Sequence, residues 1–290
     1  MAARDSTDRG YVVGLIGSGI GTSLSPALHE GEADELGVRY QYRLLDLDEL
    51  RAPVSDVVTA ARLTGFDGLN ITHPAKQLVL PYLDALSPDA KALGAVNTVV
   101  FTGDGAVGHN TDLPGFARSV STGLPDAALD RLVVLGAGGA GSAVAHALLS
   151  LGAGTLRVFD ADHGRAIALV ASLDARFGPG RAVAEPLAAL AGALEDADGL
   201  AHATPIGMEG HPGLPLSTDL LHPNLWVADV VYRPLKTELI TAARARGCRV
   251  LDGGRMAVFQ AADSFRLFTG LEPDVDRMLR HFDSLVHVPT

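Results

Sequence analysis

The run Leu132-Val133-Val134-Leu135-Gly136-Ala137-Gly138-Gly139-Ala140-Gly141 decides how this chain is read. Four apolar residues make a short buried-strand pattern, and Gly136, Gly138 and Gly141 complete a G-x-G-x-x-G turn. Downstream, Val144, Ala147, Leu148 and Leu151 recur at helical spacing, so the glycines sit between a strand and an amphipathic helix. There each glycine has a physical purpose. The first permits a tight turn, and the second lets the backbone approach a pyrophosphate. The third allows helix and strand to pack closely, with the helix N-terminus facing the anion. The bland alternative is a βα turn that binds nothing. What favours a dinucleotide is Asp160, which ends the next predicted strand 24 positions after Gly136. A carboxylate there accepts hydrogen bonds from the adenosine ribose hydroxyls and repels a 2′-phosphate, so NAD is favoured over NADP. Arg165 is the counterweight: its guanidinium could stack on adenine or reach a 2′-phosphate, and the plain reading is a solvated side chain at a helix start.

Outward from this turn, strands and helices alternate along the chain. Tyr11–Ile16, Val38–Leu45 and Gly68–Thr72 read as strands. Ser25 is expected to cap a helix with Pro26 at its first position and Gly37 as its stop. One helix is expected between the second strand and Gly65, and another after Pro74. Asn97–Phe101 and Ala106–Asn110 flank Thr102-Gly103-Asp104-Gly105, a hairpin turn. A helix from Asp112 to about Gly123 precedes the glycine-rich unit; Leu156–Phe159, Gly199–Ala203, Trp226–Val230 and Arg249–Leu251 continue the strands, and helical patterns run from Met256 to the end. This is an α/β pattern with mainly parallel sheets.

At 290 residues the chain fits roughly two domains of ~150 residues. Its 47% apolar content supplies buried cores. A net charge of −11 lacks the basic footprint of a nucleic-acid binder. The single cysteine, Cys248, cannot form an internal disulfide and reads as inert packing in a reducing compartment. Met1–Arg9 is polar, with no apolar signal region. Leu132–Leu156 carries no charge, but its six glycines argue for strand, turn and helix rather than a membrane span. A soluble cytoplasmic protein is expected. His202, His211 and His222 fall in separate predicted loops, and no metal-ligand spacing emerges.

Polar residues gather where the strands of the first half end: Ser23, Ser25, Asn70, Thr72, Asn97, Asn110 and Asp112. Singly, such residues are turn caps. As a set at the carboxyl ends of strands they suit a small polar ligand. Lys76 and Asp112 are the ionisable pair best suited to proton transfer, help worth ~10²–10⁴ in rate, against the alternative of an inert surface salt bridge.

With these residues in view, the sequence resembles the shikimate/quinate dehydrogenase family over nearly its full length. Gly14-Leu15-Ile16-Gly17 with Ser23-Leu24-Ser25-Pro26-Ala27-Leu28-His29 is similar to the opening substrate motif, and Asn70-Ile71-Thr72-His73-Pro74-Ala75-Lys76 to the catalytic-lysine motif. Gly94-Ala95-Val96-Asn97-Thr98, Asn110-Thr111-Asp112, Thr204-Pro205-Ile206-Gly207-Met208 and Gly254-Arg255-Met256 with Gln260 follow in order. The resemblance implies reversible oxidation of shikimate or quinate to the 3-dehydro compound. It implies Lys76 and Asp112 as catalytic residues, Ser23 and Ser25 on the substrate carboxylate, Thr72, Asn97 and Gln260 on ring hydroxyls, and Tyr232 lining the substrate site. Thr204, Val230 and Gly253 would join the glycine turn in holding the cofactor. It also implies a substrate domain, 1–112 completed by 255–290, and a Rossmann-type NAD(P) domain, 113–254.

Several positions depart from the family pattern. Gly19 stands for a common proline and Thr22 for a histidine, which implies a looser first loop. Asp160-Ala161-Asp162 replaces an Asn-Arg-Thr that grips the NADP phosphate, resembling the NAD-using catabolic branch, although Ser25 keeps a serine where some of that branch have threonine. His202 replaces an asparagine. Three readings stand: an NAD-dependent shikimate/quinate dehydrogenase, monomeric or homodimeric; an aminoshikimate- or aminoquinate-type dehydrogenase; and a non-catalytic sensor, against which Lys76 and Asp112 argue.

Overall fold

The computed structural model describes residues 10–286; the polar stretch Met1–Arg9 lies outside them. The chain forms two compact units, one running to Thr111 and resuming at Val258, the other spanning Asp112–Ala257.

In the first unit the elements run β1 (Tyr11–Gly17), α1 (Ser25–Glu35), β2 (Tyr40–Asp46), α2 (Leu47–Leu50), α3 (Val54–Leu63), β3 (Gly68–Ile71), α4 (Ala75–Leu78), β4 (Ala85–Leu86), α5 (Pro88–Leu93), β5 (Thr98–Thr102) and β6 (Gly105–His109). The sheet order is β2-β1-β3-β5-β6-β4. Strands β1, β2 and β3 are parallel, whereas β5 runs antiparallel to both β3 and β6, as the predicted hairpin requires. Register decides where the polar residues fall. Ile16 pairs with Ile71, Gly17 with Asp46, Asn70 with Thr98, and Thr98 with His109. The ends of β1, β2, β3 and β6 and the start of β5 therefore share one edge of the sheet.

Some local expectations change. Leu24, not Ser25, occupies the cap position of α1, and Ser25 is the first helical residue. The helix expected before Gly65 is two, broken where Arg51 turns left-handed (φ 51°) ahead of Pro53.

The second unit contains α6 (Asp112–Gly123), β7 (Arg131–Leu135), α7 (Gly139–Ser150), β8 (Thr155–Phe159), α8 (His163–Phe177), β9 (Ala182–Ala184), α9 (Leu190–Glu195), β10 (Gly199–His202), β11 (Trp226–Asp229), α10 (Glu238–Ala245) and β12 (Arg249–Leu251). Its sheet is wholly parallel in the order β9-β8-β7-β10-β11-β12. That is the doubly wound dinucleotide-binding order, with β7 and β10 meeting at the switch point where such sheets bind ligands. Val144, Ala147 and Leu148 are fully buried, but α7 stops at Ser150, so Leu151 is its half-buried C-cap rather than a core residue. Trp226 is a core residue at a strand start, as expected; its ring covers Gly199 and its indole N–H donates to Ala128 O at 2.8 Å. Among the described residues no helix is long and apolar enough to cross a membrane.

Helix α11 (Gly254–Thr269) returns the chain to the first unit, and α12 (Val275–Val286) follows after a break at Gly270–Asp274, so the helical patterns expected from Met256 onward are two helices. Tight contacts fix both helices there. Gly68 leaves room for the Phe268 ring, Gly31 leaves room for His281, and Arg277 grips the buried Glu32 carboxylate at 2.6 and 2.9 Å.

His29, on α1, lies fully inside this packing, its ring centroid 5.0 Å from Tyr42 and 5.9 Å from both Tyr40 and Phe265. Burial lowers its pKa from 6.5 to about 3. Below pH 6.5 the unfolded chain takes up a proton that the folded chain refuses, so acid favours unfolding. The contribution is about 1.4 kcal/mol per pH unit until the folded pKa is reached. Denaturant unfolding followed from about pH 7 to about pH 4 is expected to show a shallower pH slope in His29→Asn than in the native chain; equal slopes would contradict this.

Candidate active site

In the first unit, the shared sheet edge brings most of the predicted substrate residues together. The loop after β1 and the loop after β3 are tied by Thr72 N–H to Ile16 O (2.8 Å) and Ser18 N–H to His73 O (3.0 Å). A Cβ on Gly17 would overlap the Thr72 methyl, so only glycine lets these two loops meet. Ser23 and Ser25 stand half-buried beside each other, with Oγ atoms 3.2 Å apart and the Ser25 N–H donating to Ser23 Oγ at 3.2 Å. Two hydroxyls at this spacing can donate to the two oxygens of a carboxylate. Lys76, on the short helix α4, is half-buried, and its carbonyl accepts the Val96 N–H at 2.9 Å, next to Asn97.

Asn97 is buried at the start of β5 and clasps Thr111. Its Nδ2 donates to Thr111 Oγ1 (2.8 Å), and its Oδ1 accepts the Thr111 N–H (2.8 Å) and the Thr98 hydroxyl (3.0 Å). Thr111 Oγ1 in turn donates to the Gln260 carbonyl on α11 at 3.1 Å, and Asn70 joins through Thr98 Oγ1 (3.2 Å) and the Tyr42 hydroxyl (2.8 Å). A buried network with every partner satisfied is rigid. It holds the backbone of Asn97, Gln260 and Thr111, and Asp112 is the next residue in the chain.

Asp46 supplies an anchor that sequence reasoning missed. Its carboxylate accepts N–H donors from Ile20 (2.8 Å), Gly19 (3.3 Å) and Asp48 (3.0 Å). Burial pushes its carboxyl up, but these backbone donors together hold it below the usual carboxylate range. Gly19 has φ +64°, which proline cannot adopt, and it donates the N–H that proline lacks. That N–H tethers the loop after β1 to Asp46.

In the second unit, each glycine of the turn behaves as its position predicts. Gly136 takes φ +110°, and a side chain there would strike Ala203 O. Around Gly138 a Cβ would meet nothing, leaving an open approach at the N-cap of α7. On Gly141 a Cβ would overlap the Gly136 carbonyl. The open face at Gly138, framed by Gly136 and Gly141, fits a pyrophosphate against α7. Ala137 N–H donates to Asp160 Oδ2 (2.7 Å) and Asp162 N–H to Asp160 Oδ1 (2.8 Å), so Asp160 lies against the glycine turn. Arg165 is exposed in the first turn of α8 and faces Asp162 at 3.5 Å.

Thr204 follows β10 beside Gly136, and Gly253 approaches the Val230 and Val231 carbonyls so closely that a Cβ would clash with both. Tyr232 is half-buried in the loop after β11. His202 is the last residue of β10 and fully buried, as the strand read over Gly199–Ala203 places it and not in a separate loop. Cys248 is buried, its Sγ donates to His222 O (3.3 Å), and burial pushes its thiol pKa up. Among the described residues no group of three or more His, Cys, Asp or Glu side chains is placed to hold a metal ion.

The chain matches the family described as shikimate dehydrogenase substrate binding domain over residues 15–99, and shikimate 5′-dehydrogenase C-terminal domain over residues 254–281. It is 64% identical to a shikimate dehydrogenase (NADP(+)) of Streptomyces avermitilis, covering 94% of this chain and 95% of that one. It is 50% identical to a quinate/shikimate dehydrogenase (NAD(+)) of Corynebacterium efficiens, covering 94% and 98% respectively. Its structure superposes on quinate dehydrogenase from Corynebacterium glutamicum in complex with NAD with a TM-score of 0.88 and 48% identity, covering 95% of this chain and 99% of that one.

Proposed function

This chain belongs to the shikimate dehydrogenase family of oxidoreductases, and we propose that it oxidises shikimate, quinate or both to the 3-dehydro acid in the cytoplasm, with NAD preferred over NADP. The relatives' names divide on the cofactor, and Asp160 is the observation that carries the choice. Its two carboxylate oxygens accept N–H donors from Ala137 in the glycine turn and from Asp162. A fixed negative charge at the end of β8 favours ribose hydroxyls and repels a 2′-phosphate. Asp162, 3.5 Å from Arg165, offsets the positive charge that could reverse this.

NAD, when bound by the 136–141 turn, Asp160, Thr204, Val230 and Gly253, supplies the hydride acceptor. The chain's own residues do the rest. Ser23 and Ser25 donate to the substrate carboxylate, and Thr72, Asn97 and Gln260 orient the ring hydroxyls. As the reacting C–H leaves with its electron pair, the proton of the same carbon's hydroxyl passes to Lys76 Nζ. Asp112 holds the resulting ammonium and relays the proton onward.

Removing the Asp160 charge tests the cofactor assignment. In Asp160→Ser the ratio of kcat/KM for NADP⁺ over NAD⁺ is expected to rise about tenfold or more, the size of one screened charge–charge repulsion at close range. An unchanged ratio would remove Asp160 from cofactor choice.

A further inference from the structure

His202 and Asp229 are paired neighbours on β10 and β11, and neither side chain is exposed. His202 Nδ1 lies 2.9 Å from Asp229 Oδ1 and its Nε2 lies 2.5 Å from Thr204 Oγ1. Asp229 accepts two further donors: the Val231 N–H at 3.0 Å and the Thr237 hydroxyl at 2.7 Å. We propose that His202 is a positioning residue, which Asp229 holds in one tautomer so that it fixes the Thr204 hydroxyl as a hydrogen-bond acceptor toward the bound dinucleotide. This rests on the cofactor reading above.

An ionised carboxylate can only accept, so the ring nitrogen facing Asp229 carries the hydrogen. In the neutral ring that leaves Nε2 with its lone pair. Thr204, which would otherwise rotate freely about its C–O bond, then donates its hydrogen to His202. Its oxygen lone pairs point elsewhere: one takes the Ile206 N–H at 3.3 Å, and the other is left for an incoming donor. Residue 204 stands beside the cofactor turn, its methyl 3.1 Å from where a Cβ on Gly136, the first glycine, would stand, so a dinucleotide seated on that turn is the ligand next to it. The group recognised is an N–H or O–H donor of the dinucleotide, either the nicotinamide carboxamide or a ribose hydroxyl.

Two substitutions separate this role from plain core packing. An asparagine at 202 can place its amide near the position of Nδ1 and keep Asp229 satisfied, but it is too short to reach Thr204 as well. Thr204→Val keeps shape and removes the hydroxyl. Dissociation constants for NADH, read by nucleotide fluorescence, are measured for the native chain, His202→Asn, Thr204→Val and the double variant, with melting temperatures alongside. Thr204→Val is expected to weaken NADH about tenfold in the native background and by less than about threefold in the His202→Asn background. Equal effects in both backgrounds, or no effect in either, would overturn the proposal. Native protein that binds neither NADH nor NADPH would instead overturn the cofactor reading itself. With the proposal upheld, repeating the cycle with the reduced acetylpyridine analogue, which lacks the carboxamide N–H, assigns the donor. Coupling that vanishes marks the amide, and coupling that persists marks a ribose hydroxyl.

Discussion

Lys76→Ala is expected to lower kcat by ~10²–10⁴ while NADH binds as it does to the native chain. Lys76 lies in the first unit, on a helix whose carbonyl is hydrogen-bonded to the loop that carries Asn97; the glycine turn belongs to the second unit. Removing its amine leaves the reacting hydroxyl without a proton acceptor, and the truncation falls at a half-buried position where little packing is lost. A loss confined to kcat marks an interaction made in the transition state, whereas a loss spread over KM would mark substrate binding alone. Stopped-flow turnover with a parallel fluorescence titration checks both. A kcat within about tenfold of the native value would remove Lys76 from the chemistry.

Gly141→Ala and Gly138→Ala are expected to fail in opposite ways. At 141 the new methyl meets the Gly136 carbonyl, which is backbone and cannot swing aside, so the turn and α7 must separate. Overpacking of this kind costs ~1–3 kcal/mol, and the unit melts several degrees lower. At 138 the methyl meets nothing in the protein and φ is −79°, which alanine accepts. Its melting temperature therefore stays at the native value, while the methyl fills the approach open to the pyrophosphate and weakens NADH binding. Calorimetry with NADH titration on both variants separates them. If Gly138→Ala binds NADH at native strength, the turn does not cradle the cofactor.

Much of this architecture is legible in the order of residues alone. Periodicity and glycine spacing reveal the strand–turn–helix at 132–151, because the three glycines answer to local geometry. The hairpin at 102–105 is legible for the same reason. What escapes depends on contacts distant in sequence. Strands β4 and β9, of two and three residues, are too short to show a period. Asp46 reads as an ordinary polar strand end until its register beside Gly17 puts it under Gly19 and Ile20. Thr111, flanked by the more conspicuous Asn110 and Asp112, is the residue that joins Asn97 to α11. His202 falls inside the strand read over Gly199–Ala203, but beside a threonine-proline turn its imidazole reads as a loop side chain. Only the pairing of β10 with β11 shows that Asp229 is its partner.

Initial rates of the purified protein with shikimate and with quinate, each against NAD⁺ and NADP⁺, test the central claim most directly. Absorbance of the reduced nicotinamide is expected to rise with at least one of the two acids, and faster with NAD⁺ than with NADP⁺. Faster reduction of NADP⁺ would contradict the role given to Asp160, and no reduction in any of the four pairs would contradict the proposed reaction.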